Sequence, residues 1–182
     1  YEAGQGVLQD YKTAMKWYTF AAEQGHASAQ NNLGAMYDQG HGVLKDGKIA
    51  LKWYTLAAEQ GHASAQNNLG WMYRKGEGVQ KNYKTAMKWY TFAGEQGVAD
   101  AQHNLGQMHY NGQGVLQDYK TAMKWYTLAG EQGHASAQNN LGLMYEAGRG
   151  VPQDYETAVK WYTLAGEQGH ASAQNNLGWM YR

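Results

Sequence analysis

Seven histidines are the residues best equipped for metal or proton chemistry in this chain of 182 residues. Four of them, His26, His62, His134 and His170, occupy one position of a 36-residue spacing. Carried on stacked helices, neighbours in such a row stand on the order of 10 Å apart. Zinc draws its ligand atoms in to about 2 Å, so the row cannot share one ion. His103 and His109 are six apart on one helical stretch and face different ways. Cysteine is absent, which excludes a disulfide framework, a thiolate metal site and a cysteine nucleophile. Serine occurs only at 28, 64, 136 and 172, again one position of the same spacing. Catalysis requires an asymmetric cluster of nucleophile, base and orienting group, and such a row does not form one. The Gly-x-Gly pairs lack the remaining residues of a phosphate or dinucleotide loop. The expectation is a chain that is not an enzyme and holds no cofactor or metal.

Nine lysines, at 12, 16, 48, 52, 84, 88, 120, 124 and 160, suggest a basic stripe for nucleic acid or anionic lipid. Against this, 15 Lys and Arg balance 15 Asp and Glu, for a formal net charge of zero. Both kinds of partner rely on excess positive charge. Glu23, Glu59, Glu95, Glu131 and Glu167 lie on the same segments, so the stripe reads as a solvated outer face. Nor is there an apolar run long enough to span a bilayer.

The elements behind these rows form a repeat. Trp17, Trp53, Trp89, Trp125 and Trp161 are each 36 residues from the next, as are the Leu-Gly pairs at 33, 69, 105, 141 and 177. Residues 11–33 and 119–141 differ only at Phe20/Leu128 and Ala22/Gly130. Five copies of 36 account for residues 1–182 but two, as one solenoid array. Within each copy, Tyr11, Ala14, Met15, Tyr18, Ala21 and Ala22 trace one helical stripe, which predicts a helix over 10–24. Asp10, Asp46, Asn82, Asp118 and Asp154 are suited to cap its start, and Gly25 and its equivalents to stop it. A second helix over about 27–39 carries Ala29, Leu33, Met36 and Tyr37 and ends at Gly40. The short turn between the two makes an antiparallel hairpin. The interior is expected from Trp17, Tyr18, Leu33, Met36 and Tyr37 types. Val7, Val43, Val79, Val115 and Val151 are expected to plug beneath each hairpin. Gly34, in mid-helix, costs roughly 1 kcal/mol relative to Ala, and a close approach of the partner helix would explain it.

Comparing the copies shows where the chain is free to change. The residue after Leu-Gly is Ala35, Trp71, Gln107, Leu143 or Trp179. Three further on come Asp38, Arg74, Tyr110, Glu146 and Arg182, followed by Gln39, Lys75, Asn111 and Ala147. The spacing i, i+3, i+4 puts them on one helix face. Neutral drift on an exposed face is one reading. A binding surface is the other, favoured by Trp71 and Trp179, because Trp is enriched at hot spots. One turn away runs the column Asn32, Asn68, Asn104, Asn140 and Asn176, preceded by Asn31, Asn67, His103, Asn139 and Asn175. A ladder of amides could hold the main chain of an extended peptide without reading its sequence. The alternative is a structural staple that bonds loops or neighbouring helices. The expected protein- or peptide-binding set is this Asn column with Trp71, Arg74, Lys75, Gln107, Tyr110, Leu143 and Glu146. Its mixed charge would suit a partly acidic peptide.

The string Ala-Ser-Ala-Gln-Asn-Asn-Leu-Gly-x-Met-Tyr, then Gly-x-Gly-Val, then Asp-Tyr-Lys-Thr-Ala-x-Lys-Trp-Tyr-Thr-x-Ala closely resembles the Sel-one-like repeat family, a relative of the tetratricopeptide repeats. The resemblance covers essentially the whole chain. It implies an all-α, right-handed superhelical solenoid whose repeat begins with the Asn-Asn-Leu-Gly helix (helix A) and continues with the Trp-Tyr helix (helix B). It also implies that the A helices line a concave groove and that the chain serves as an adaptor for other proteins. Some secreted bacterial relatives carry a disulfide in each repeat, which this chain cannot form. The sequence opens at Tyr1 and stops at Arg182 in the same phase, without polar capping helices. A segment of a longer array is the expectation, and head-to-tail self-association through uncapped ends is the alternative. Localisation stays open.

Overall fold

The computed structural model describes residues 10–182; Tyr1 and Val7 lie outside the described residues. Among the described residues, ten helices follow one another: α1 (Tyr11–Glu23), α2 (Ala27–Gln39), α3 (Gly47–Glu59), α4 (Ala63–Lys75), α5 (Tyr83–Glu95), α6 (Ala99–Asn111), α7 (Tyr119–Glu131), α8 (Ala135–Ala147), α9 (Tyr155–Glu167) and α10 (Ala171–Met180). No strand occurs among the described residues. The even-numbered helices are the A helices and the odd-numbered ones the B helices. Two compact units result, one ending at Ala93 and the other running Gly94–Arg182. Within each, helices pack on their neighbours in chain order.

Each boundary has a local cause. The Asp46 carboxylate accepts the backbone N–H groups of Lys48 at 2.9 Å and Ile49 at 3.0 Å, satisfying donors that a helix start leaves free. Asp118 does the same for α7, and Asn82 receives Thr85 N–H at 3.0 Å for α5. A helices begin differently. His26, His62, His134 and His170 use Nδ1 to accept the N–H of Ala29, Ala65, Ala137 and Ala173 at 3.2–3.4 Å. The structural role expected for this histidine row is therefore helix capping. Val98 replaces the histidine before α6 and supplies no cap. The turn from B to A passes through Gly25 at φ +89°, which L side chains rarely adopt, and closes with His26 N–H on Ala21 O at 3.1 Å.

Leu69, Met72, Leu105, Met108, Leu141 and Met144 are essentially unexposed, as are the Ala50, Ala86, Ala122 and Ala158 positions. The tyrosines after the Trp column also belong to this core: Tyr54, Tyr90, Tyr126 and Tyr162 are at most 2% exposed. They explain the mid-helix glycines. A Cβ on Gly34 would stand 2.8 Å from the Tyr54 ring, and one on Gly70 would stand 2.6 Å from the Tyr90 ring. The close approach is thus made by an aromatic face of the following B helix, and not by helix backbone.

Two expectations need correction. The Trp column is half-buried, and Trp17 is 55% exposed. Trp53 lies against the Ala22–Ala29–Leu33 cluster, and Trp89 against the cluster of Tyr54 and Leu69, so these rings bridge successive hairpins from the rim. The indole is too large and polar-tipped for the seat that the narrower phenol ring fills. The valines plug the hairpins only in part: Val43, Val79 and Val151 are half-buried and Val79 packs against the Tyr54–Leu69 cluster, whereas Val115 is 36% exposed.

Candidate functional site

The variable positions sit on the last turns of the A helices, where helix backbone supports them and the core does not enclose them. In the first unit, Trp71 is half-buried and packs with Ala35 against the Tyr54–Leu69 cluster; it is less open than an exposed anchor would be. Lys75 and Gln39 are exposed, whereas Asp38 and Arg74 are half-buried. In the second unit, Leu143 is 42% exposed and Trp179 is 67% exposed, with Gln107, Tyr110 and Glu146 between buried and exposed. Arg182 falls beyond the end of α10.

The middle variable position has a neighbour that the sequence does not advertise. It lies beside the buried phenol of the B helix that follows. The Tyr162 hydroxyl donates to Glu146 Oε2, and both burial and that carboxylate drive the phenol pKa well above its usual range. Burial raises Tyr54 in the same way, with Asp38 adding to the effect. Tyr90 is pushed up to about 12 by burial, while the Arg74 charge acts in the opposite direction. Asp38 itself is raised, first by burial and then by Glu77, with Lys45 opposing; one of its oxygens, Oδ1, is shielded from solvent without a hydrogen-bond donor. Charge at this position therefore faces two ways, toward the phenol behind it and toward solvent.

The Asn column does staple the repeats. Asn68 donates to Asn31 Oδ1 and Asn176 to Asn139 Oδ1, each at 3.2 Å, and the Asn140 amide nitrogen meets His103 Nε2 at 3.2 Å. Asn31 in turn donates to Asn32 Oδ1 at 3.4 Å. Asn176 also hydrogen-bonds the Tyr162 hydroxyl, so the column ties successive A helices together and reaches the buried phenol as well. A second ladder went unread in the sequence. Gln30, Gln66, Gln102, Gln138 and Gln174 each donate to the carbonyl eight residues earlier, at 2.9–3.2 Å. Gln60, Gln132 and Gln168 then donate across to Gln30, Gln102 and Gln138 at 2.7 Å.

Part of the expected set converges on a cavity in the second unit. Gln107, Tyr110 and Asn111 of α6, Tyr126 of α7, and Asn140 and Leu143 of α8 line a solvent-open cavity of about 180 Å³. Tyr126 and Asn111 were not among the expected binding residues, the first because it repeats as a core position. Arg149 was also missed: its guanidinium lies 5.6 Å from the Tyr110 ring and 5.9 Å from Tyr119, and it donates to the Tyr110 hydroxyl. The loop column His41, Glu77, Gln113, Arg149 varies as much as the helix positions and would have flagged it. Glu146 is directed to Tyr162 and does not line the cavity.

Among the described residues, no group of three or more His, Asp or Glu side chains could hold a metal ion, and no helix is long and apolar enough to cross a membrane. What the arrangement can do is present amides, rings and charges of differing identity on one helix face.

A stack of capped helix hairpins with a fixed 36-residue period defines a helical repeat protein, and the comparisons specify which. The Sel1 repeat profile matches residues 1–26, 27–62, 63–98, 99–134, 135–170 and 171–182, so the chain belongs to the Sel1 repeat family. From residue 27 on, each matched stretch begins with an A helix. Among solved structures, a protective antigen of uropathogenic Escherichia coli strains displaying an SLR fold is 40% identical with a TM-score of 0.93, over 98% of this chain and 38% of that one. A Sel1 repeat protein from Oxalobacter formigenes is 39% identical with a TM-score of 0.92, over 100% of this chain and 72% of that one. An immunity protein from Pseudomonas aeruginosa is 27% identical with a TM-score of 0.59, over 92% and 62%. The chain thus spans little more than a third of the length of the Escherichia coli protein. The search of curated protein sequences returned no match. Sel1 repeat proteins generally serve as protein–protein interaction scaffolds and are generally non-catalytic.

Proposed function

We propose that this chain is a non-catalytic adaptor that takes up a protein or peptide on the A-helix face, which is the concave side in the arrays it resembles. One observation carries this reading. Between near-identical repeats, the A helices change chiefly at three positions on one face of their last turns, half-buried to exposed, while their Gly–Tyr and Gln packing positions stay constant. Trp71, Arg74 and Lys75 provide the selective contacts in the first unit, and Gln107, Tyr110 and Leu143 do so in the second. The column Asn32, Asn68, Asn104, Asn140 and Asn176 runs beside these contacts and lies along a ligand main chain. Glu146 acts through Tyr162, setting the charge beside the phenol. The immunity protein and the protective antigen among its structural relatives suit a surface-recognition role, without naming the partner.

A displayed peptide library, selected on the folded chain and titrated by calorimetry, tests this. Trp71→Ala with Arg74→Ala is expected to weaken the selected peptides by about tenfold or more, the loss of one hot-spot cluster. Lys52→Ala with Lys124→Ala on the B helices is expected to leave them unchanged. The opposite pattern would move recognition to the outer face. Light scattering over a concentration series accompanies the titration, because head-to-tail stacking would produce species that grow with concentration.

A further inference from the structure

The cavity bounded by Gln107, Tyr110, Asn111, Tyr126, Asn140 and Leu143 is where departures from the repeat accumulate on both walls. Tyr110 stands where other copies have Asp, Arg or Glu. It is clamped by Arg149, which replaces His, Glu or Gln, and by the Tyr119 ring at 5.0 Å. On the opposite wall, the Asn140 amide nitrogen is directed to His103, which replaces Asn. His103 stacks on His134 at 4.5 Å, and His134 Nε2 meets Asp100, which replaces Ser, at 3.2 Å. His134 Nδ1 accepts the Ala137 N–H, so in the neutral ring the proton is on Nε2, aimed at Asp100. Drift would loosen side chains at the surface. Here the substituted residues brace two walls of one hollow, which is the preorganisation that binding rewards.

The walls also state what fits. The six lining residues include no Asp, Glu, Lys, Arg or His, and burying an unpaired charge among them is costly. The Tyr110 and Tyr126 rings and the Leu143 side chain supply apolar surface, and the Gln107, Asn111 and Asn140 amides supply hydrogen-bonding groups. A dry cavity of about 150 Å³ accommodates a benzene ring, so about 180 Å³ takes one ring and little more.

We propose that this cavity is a specificity pocket for one neutral aromatic side chain, phenylalanine or tyrosine, of a bound peptide. The proposal rests on the A-helix reading above and names the chemistry that this part of the face selects. The Asn140 and Gln107 amides lie within the same walls and favour tyrosine through its hydroxyl.

The test uses p-cresol as probe in a heteronuclear NMR titration of the 182-residue chain. Saturable shifts are expected at the Gln107 and Asn140 side-chain amides and the Leu143 methyls. p-Toluate is expected to bind roughly tenfold more weakly or worse, because no lining residue is a cation and the nearby Arg149 guanidinium is engaged with the Tyr110 hydroxyl and ring. Leu143→Trp fills the hollow with a residue that this fold already carries at Trp71 and Trp179, so folding is preserved. It should weaken p-cresol by roughly tenfold or more. Tyr110→Asp, which installs the residue found at Asp38, should do likewise. Shifts confined to a second, more open and more apolar groove lined by Met123, Leu128, Tyr145 and Val151, equal binding of p-toluate, or indifference to Leu143→Trp would each overturn the pocket. A selected peptide that binds the A-helix face yet ignores Leu143→Trp overturns the pocket alone. p-Cresol seated as described, with no peptide bound, overturns the adaptor reading and leaves the pocket standing.

Discussion

Replacing Gly70 with alanine should destabilise the array, although the same change in a free helix is favourable. Helix propensity alone rewards Gly→Ala by roughly 1 kcal/mol. At Gly70 the new methyl would stand 2.6 Å from Cδ1 and 2.7 Å from Cε1 of Tyr90. Ordinary carbon contacts lie at about 3.5–4.0 Å, so the ring must retreat by roughly 1 Å. Tyr90 is 0% exposed and cannot swing aside. Overpacking costs about 1–3 kcal/mol, and contacts this short belong to the upper half of that range, so a net loss of about 1–2 kcal/mol remains after the propensity gain of about 1 kcal/mol. Gly178 is the internal control, since a methyl there meets nothing within 4 Å. Gly178→Ala should therefore stabilise, by up to about 1 kcal/mol. Urea unfolding followed by far-ultraviolet circular dichroism reads both, with midpoints compared because repeat arrays can depart from two-state behaviour. A Gly70→Ala chain as stable as the parent would refute the ring-contact explanation of the glycine column.

The capping histidines make a paired prediction: His62→Ala should cost about 1 kcal/mol, and Val98→His, which restores the missing cap of α6, should return a similar amount in the same unfolding assay. Acid should weaken the fold through the B-helix caps. Hydrogen bonds from Thr121 hold the Asp118 carboxyl below its usual 3.8, and Thr157 does the same for Asp154. A depressed folded pKa gives stability that is present above the unfolded value and lost as pH falls through the folded one. Midpoints should therefore drop below about pH 4, and Asp118→Asn should flatten that drop. At the alkaline end, Tyr90, raised to about 12 by burial, should ionise only as the protein unfolds, which a spectrophotometric titration against far-ultraviolet signal will show.

The period, the helix limits and the caps of the B helices were legible because each depends on local chemistry: Asp10 and its equivalents before the stripe, Gly25 and Gly40 after it. The glycine column was readable as a close approach, yet its partner was not, because Tyr54 is a separate helix away and its ring looks like any aromatic on a helical stripe. Trp17 and Tyr18 are adjacent in sequence and equally apolar by pattern. Only the packing of successive hairpins sends the tyrosines inward and leaves the indoles at the rim. The Asn column was open to two roles, and the bonds from Asn68 to Asn31 and from Asn176 to Asn139 supply the structural one. The cavity was half legible. Gln107, Tyr110 and Leu143 stood out by varying, whereas Tyr126 was hidden by repeating and Arg149 by lying in a loop.

Amide hydrogen exchange of the chain with and without a selected peptide tests the central claim most directly. The account requires new protection at the ends of the A helices, at residues 71–75 of α4 or at 107–111 and 140–146 of α6 and α8. Protection confined to the B helices α3 and α7, with those A-helix ends unchanged, would contradict it.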